Sequence, residues 1–344
     1  MIDKIYFIRQ KYTPFGGAER YLKRLAKELE KLNIEYEIIN LKAFKFLPSW
    51  IKAILFNIQV CKRKKGFYFS LDRISCPDIY RAGDGVHRAF LKTKKRKLNP
   101  LNPIYLYLEK RAFKNAKYII ANSNMVKREI IDEYKIDPKK IEVIYNGIEI
   151  ENFDEKKAKE KIAKQFNLDS SKKIILFVGS GFERKGVFEF LEICSHIKTP
   201  FYAFIVGKDK NMKKYQTLAK KMNLLNHIFF TGERKDVKEF YAASDIFLFP
   251  TKYEPFSNVV LEAMSFKNAV ITTIYNGASE ILKEEFIIRN PNNKKIVERI
   301  EKLLNDENYL KDVKNHNFEV AKKFSMEKNA KLTIQLVKKA VKKR

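Results

Sequence analysis

Cysteine is nearly absent: Cys61, Cys76 and Cys194 are the only three in 344 residues, odd in number and far apart. No disulfide framework or zinc site is expected from them, and four scattered histidines add no ligand cluster. The compartment implied is a reducing cytoplasm. Glycine and proline are scarce at 12 and 10, which argues for long regular elements rather than a turn-rich all-β protein. No run approaches the roughly 20 apolar residues of a membrane span, so no crossing of a bilayer is expected. The opening MIDKIYFIRQ shows no signal-peptide pattern. Acidic residues are outnumbered, 41 against 70 lysines and arginines, for a net charge of +29.

The hydrophobic share of 45% excludes a disordered or fibrous chain, and the length suits two domains of ordinary size. Short β-rich runs alternate with amphipathic stretches. KIYFIRQ precedes ERYLKRLAKELEKL, KYIIAN precedes a helix over 124–134, and the pattern restarts with KIILFVGS. FYAFIVG, HIFFTG, DIFLFP and AVITT follow with helices from Val187, Lys213 and Phe256 between them. Such alternation makes parallel sheets wrapped by helices. Two series meeting at the Asn146-Gly147 turn signal predict an α/β protein with two Rossmann-like domains facing one another. The first covers 1–147, joined by the basic helix at 325–344; the second covers 148–324.

Three motifs carry chemistry. TPFGGAER puts Gly16 and Gly17 between the first strand and its helix, where backbone can approach an anion; a tight βα turn would look the same. GSGFERKG ends the first strand of the second domain and projects Arg184 and Lys185, a guanidinium for bidentate phosphate contact and a point charge. EPFSNVVLEAM opens a helix whose first amides, around Phe256, Ser257, Asn258 and Val259, suit a negative group. Glu254 stands before it and Glu262 two turns in; the plain alternative makes one a dipole partner and the other a solvated helix residue.

Taken together the motifs resemble the retaining glycosyltransferases of family 4, which have the GT-B fold of two Rossmann-like domains across a cleft. The pair of glutamates in EPFSNVVLE matches that family's most specific pattern, supported by GGAER, ANSNMVKREI, VIYNGIE and the lysine of RKG. The fit is closest to the lipopolysaccharide-core glucosyltransferases. Ser180 departs from the arginine many members carry there, and Arg184 is the neighbour able to replace its charge. The resemblance implies that Lys185 with Arg184 binds the donor diphosphate and that Glu254 holds the sugar hydroxyls. The amides of Phe256, Ser257 and Asn258 would contact sugar and phosphate, Glu262 the ribose, while Gly16 and Gly17 let a loop close over the phosphates. In the first domain it places Asp84, or alternatively His87, beside the reacting carbon. It also implies a metal-independent reaction with no cofactor, the nucleotide sugar being a substrate.

Between residues 42 and 117 there are 19 basic and 4 acidic residues, a one-sided patch for an anionic surface. Residues 42–60 place Trp50, Ile51, Ile54, Leu55 and Ile58 on one helical face and read mainly as a core helix. Residues 87–114 join Lys94, Lys95, Arg96 and Lys97 to Tyr105 and Tyr107 and read as the stronger docking candidate. The expected activity is therefore transfer of a hexose, glucose from a UDP donor, to a lipopolysaccharide-core or other lipid-linked acceptor. The setting would be a bacterial cytoplasm, with the enzyme bound peripherally to the cytoplasmic face of the inner membrane. Three alternatives remain open: a capsule, glycolipid or protein-glycan transferase using a donor such as GDP-mannose; a sugar-nucleotide epimerase or hydrolase; and a nucleic-acid-binding protein. No helix-turn-helix, RRM or zinc pattern supports the last, so no nucleic acid partner is expected.

Overall fold

The computed structural model describes residues 4–11, 17–31, 33–41, 46–94, 98–290 and 294–342. The chain divides into two units, Met1–Asn146 with Met326–Arg344, and Gly147–Ser325.

In unit 1 the strands are β1 (Lys4–Ile8), β2 (Glu35–Ile39), β3 (Phe67–Ser70), β4 (Ile79–Ala82), β5 (Tyr118–Ala121) and β6 (Ile141–Val143). The helices are α1 (Gly17–Glu30), α2 (Ser49–Cys61), α3 (His87–Lys92), α4 (Leu101–Asn115) and α5 (Asn124–Tyr134). Every pairing is parallel and the order is β2-β1-β3-β4-β5-β6. FYFS, IYRA and YIIA are buried along their full length, as expected of parallel strands covered on both faces. Helix α1 buries Leu22, Leu25, Ala26 and Leu29, one face at helical spacing, into a core with Phe7, Phe69 and Ile120. The Ser123 hydroxyl accepts from the Val126 amide at 3.1 Å and starts α5.

Unit 2 carries α6 (Glu155–Phe166), β7 (Lys173–Val178), α7 (Phe182–Lys185), α8 (Val187–Ser195), β8 (Phe201–Val206), α9 (Met212–Lys221) and β9 (Ile228–Gly232). It continues with α10 (Val237–Ala243), β10 (Ile246–Phe249), α11 (Asn258–Ser265), β11 (Ala269–Thr273), β12 (Ile287–Ile288), α12 (Lys294–Asn305) and α13 (Glu307–Lys322). The parallel order β12-β11-β10-β7-β8-β9 starts in the middle and winds outward both ways. The order reverses between β7 and β10. In open α/β sheets, ligands bind outside the carboxyl ends of the strands at such a switch point. The segments leaving those two strands are 179–186 and 250–257, the two motifs of the second domain. Helix α14 (Met326–Lys342) returns the chain to unit 1.

Two expectations are corrected. Cys61 and Cys76 form a disulfide with Cα atoms 5.7 Å apart, and only Cys194 is free, buried in α8. The fold brings the end of α2 against the segment before β4, a proximity that spacing in sequence does not encode. In the chain-entropy account a bridge spanning 15 residues is worth about 3 kcal/mol. Helix α2 buries Ala53, Phe56 and Val60 but leaves Trp50, Ile54, Leu55 and Ile58 37–42% exposed. Helix α2 is thus not simply a core helix. Ile54 and Asn57 of α2 line an apolar groove with Pro103, Ile104, Tyr107 and Leu108 of α4.

Candidate active site

The close approach of two chain segments in unit 2 begins at Gly186. A β-carbon there would stand 1.9 Å from the Pro250 carbonyl oxygen, and its φ of +81° favours glycine as well. Lacking a side chain, the α7–α8 junction rests directly on the end of β10. The Arg184 carbonyl accepts from the Lys252 amide at 2.9 Å and from Thr251 Oγ1 at 3.1 Å, which ties α7 to the next segment.

Lys185 Nζ then lies 3.1 Å from Glu254 Oε1, and the Arg184 guanidinium bonds the same oxygen. Arg184 Nη1 also donates to the Tyr253 carbonyl at 3.0 Å. Both Lys185 and Glu254 are largely buried, at 13% and 12% side-chain exposure. Burial holds the lysine pKa below its ordinary value, and the charge of Arg184 adds to this. Glu254 and Glu262 act in the opposite sense without overcoming it. Glu262 accepts from Tyr241 Oη at 3.1 Å. Arg184, Lys185, Glu254 and Glu262, read from separate motifs, thus share one neighbourhood.

Asn276 organises the rest, although sequence reasoning passed it over. It is fully buried, and its Oδ1 accepts from the amides of Ser257 at 3.2 Å and Ala278 at 3.1 Å. The Glu254 amide donates to the Tyr275 carbonyl, and the Gly277 amide returns to the Glu254 carbonyl, both at 2.9 Å. The Asn276-Gly277 turn pair was the available signal. One consequence departs from expectation: the Ser257 amide already has its partner inside the fold. Helix α11 begins at Asn258 with Ser257 as its N-cap, two residues later than the pattern suggested. Phe256 is buried, Asn258 exposed and Val259 half-buried.

In unit 1 Gly17 is the first residue of α1, while Gly16 lies outside the described residues. Asp84 is exposed on the turn after β4. His87 opens α3, with Nε2 3.1 Å from Asn102 Oδ1 and its ring edge-on to Tyr105 at 5.4 Å. Burial first, and then the Arg73 charge, lower its pKa. His87 is thus a half-buried, packed ring while Asp84 is exposed. Tyr105 lies half-buried against His87 and the Arg73 guanidinium, 5.2 Å from its ring, whereas Tyr107 is 61% exposed. Lys94 folds over the Phe90 ring, its Nζ 5.2 Å from the centroid, and Lys95, Arg96 and Lys97 lie outside the described residues.

No group of three or more histidine, cysteine or carboxylate side chains able to hold a metal occurs among the described residues. No helix among them is long and apolar enough to cross a membrane.

Comparison with known proteins places both units among glycosyltransferases. The Glycosyltransferase Family 4 model matches residues 67–152, and the Glycosyl transferases group 1 model matches 158–320. An uncharacterised glycosyltransferase of Methanocaldococcus jannaschii is 26% identical over 324 residues, spanning 83% of this chain and 79% of the relative. The lipopolysaccharide glucosyltransferase WaaG of Escherichia coli is 25% identical over 321 residues, spanning 81% and 83%. Among solved structures, Anabaena Alr3699/HepE in complex with UDP-glucose has a TM-score of 0.77 at 19% identity, covering 98% of this chain and 99% of that one, a likeness of fold. Two family models that follow one another through both units, and the paired parallel sheets, lead to one conclusion: this chain belongs to the glycosyltransferases of the GT-B type.

Proposed function

We propose that the chain moves glucose from UDP-glucose to a lipopolysaccharide-core or other lipid-linked acceptor, with retention at the anomeric carbon. The observation that carries this reading is the meeting of Lys185, Arg184 and Glu254 at the switch point of unit 2. Two cations that share one carboxylate leave a net positive charge for a diphosphate. Lys185 and Arg184 take the charge that develops on the leaving nucleotide, and Glu254 orients the sugar hydroxyls. Glu262 serves the ribose, and Asp84 of unit 1 meets the acceptor hydroxyl. The donor choice draws support from the UDP-glucose complex of HepE, and the acceptor class from the name of WaaG.

The test incubates the full chain with radiolabelled UDP-glucose, UDP-galactose or GDP-mannose and a lipopolysaccharide-core acceptor, with and without EDTA. Label from UDP-glucose is expected in the acceptor, α-linked by NMR and undiminished by EDTA. Free hexose irrespective of acceptor would instead make the chain a hydrolase. Transfer from GDP-mannose alone would move it to the capsule and glycolipid class, and loss of activity in EDTA restored by Mg²⁺ would overturn the metal-independent scheme.

We further propose that unit 1 docks on the cytoplasmic face of an anionic inner membrane through α2 and α4 together. Trp50, Leu55, Ile58 and Tyr107 are exposed, and in the sequence the basic run 94–97 directly precedes α4. Replacing Lys94, Lys95, Arg96 and Lys97 by glutamine should remove up to about 4 kcal/mol of attraction to anionic vesicles. Binding to neutral vesicles and to UDP should not change. Undiminished sedimentation of that variant with anionic vesicles would show that the basic run is not the anchor.

A further inference from the structure

We propose that Glu109 is a positioning residue that fixes the acceptor-side turn of unit 1 and so aims Asp84. This rests on the reading above that Asp84 meets the acceptor. Glu109 is a lone carboxylate in a strongly basic stretch, and it is completely buried. A buried charge persists only where its hydrogen-bonding capacity is filled. Here both oxygens are used. Oε1 accepts from Arg73 Nε at 2.9 Å and from the His87 amide at 2.7 Å. Oε2 accepts from Tyr134 Oη at 2.6 Å and from the Arg88 amide at 3.3 Å.

These partners place the carboxylate over the first turn of α3, where the N-cap position holds Val86, a side chain with nothing to offer an amide. Glu109 supplies from α4 the cap that the local sequence lacks. Its partner Arg73 reaches onward, with Nη2 donating to the Gly85 carbonyl at 3.2 Å. From the end of β5, Asn122 Nδ2 donates to the Gly83 carbonyl at 3.1 Å. The backbone is therefore held by side chains at Gly83, Gly85, His87 and Arg88, on both sides of Asp84. Asp84 itself is exposed, within electrostatic reach of Arg73. A clamped backbone carrying an exposed carboxylate is the arrangement of a substrate-facing group supported by its surroundings. Stability alone does not explain a buried ion pair, since packed apolar residues serve that end equally well.

The test compares wild type, Glu109→Gln and, as a second route to the same turn, Arg73→Lys. Amide exchange at His87 and Arg88 should accelerate about 10- to 100-fold in Glu109→Gln, the loss of charge-assisted hydrogen bonds. Exchange in unit 2 and the affinity for UDP should stay within about twofold, since the donor residues lie in the other unit. Transfer from UDP-glucose to the lipopolysaccharide-core acceptor should fall about 10²-fold, as for a displaced reacting group, while slow hydrolysis to water persists. Unchanged exchange at His87 and Arg88 overturns the proposal, as does accelerated exchange with normal transfer. Parallel loss of UDP binding and transfer also overturns it, since that would mark general unfolding. A wild type that moves no sugar from UDP-glucose sinks the donor reading; the positioning role then stands or falls on the exchange rates of the two variants.

Discussion

Glu254→Gln is expected to lose about 10²–10³-fold in turnover while binding UDP as well as wild type or better. The carboxylate has two partners, Lys185 and Arg184, both partly withdrawn from water. Glutamine keeps the size of the side chain and removes its charge, leaving two cations facing each other. Breaking a buried pair on one side destabilises a fold by roughly 3–5 kcal/mol, so the variant should melt at a lower temperature. A nucleotide diphosphate restores the missing negative charge, and the rise in melting temperature with UDP should therefore be larger than in wild type. Sugar hydroxyls, by contrast, find no anionic acceptor, and chemistry fails. Alanine would confuse the two effects, because Glu254 is buried and its backbone is bridged to the Asn276 segment. Near-normal turnover in Glu254→Gln would remove the sugar-binding assignment.

Lys185→Ala is expected to lower kcat by about 10²-fold, the effect of deleting one preorganised charge stabiliser, and to weaken UDP binding with it. The pH dependence provides a second reading. Since burial lowers the lysine pKa from 10.5, the alkaline limb of kcat/KM, which reports the free enzyme, should begin below that value. Between the lowered pKa and 10.5 the unfolded chain holds its proton more tightly than the folded one, so this group makes stability rise with pH. Activity should therefore fall over the same range in which this contribution to stability grows. Lys185→Arg should remove the limb, because a guanidinium keeps its charge there. A limb unchanged in Lys185→Arg, or kinetics of Lys185→Ala matching wild type, would take the leaving-group role away from Lys185.

Much of this architecture was legible in advance. Parallel strands buried on both faces are written as continuous apolar runs, so KIILFV, FYAFIV, IFLF and AVITT declare themselves, and the helix expected over 124–134 is α5. Lys185 and Glu254 were legible because each sits in a motif at the end of a strand. Their ion pair was not, for it depends on how closely α7 approaches β10, and that depends on Gly186 and the Pro250 carbonyl. Asn276 looked like an ordinary turn residue until its two amide partners were visible. Glu109 looked like one charge in an amphipathic run, whereas its partners come from positions 73, 87, 88 and 134. Cys61 and Cys76 gave no local hint of a bridge, since proximity of that kind is a property of tertiary structure. The different settings of Tyr105 and Tyr107 were hidden for a related reason: neighbours along a helix face different ways, and Tyr105 is half-buried where Tyr107 is exposed.

The return of α14 has a consequence for the order in which the molecule can be assembled. Unit 2 is one continuous stretch of chain, whereas unit 1 is split around it. Ala330, Ile334, Leu336, Val337 and Ala340 belong to the same core cluster as Leu22, Leu25, Phe69 and Ile120. Thr333 Oγ1 meets Tyr21 Oη at 3.2 Å, and Asn329 Nδ2 donates to the Tyr145 carbonyl at 2.5 Å. On the ribosome, the unit begun first is therefore the one finished last. Its apolar face waits for residues 326 onward while unit 2 already has all its strands. A nascent chain halted at residue 325 would hold all of unit 2 and a unit 1 with part of its core uncovered, and the exposed part would be the surface for chaperones to shield.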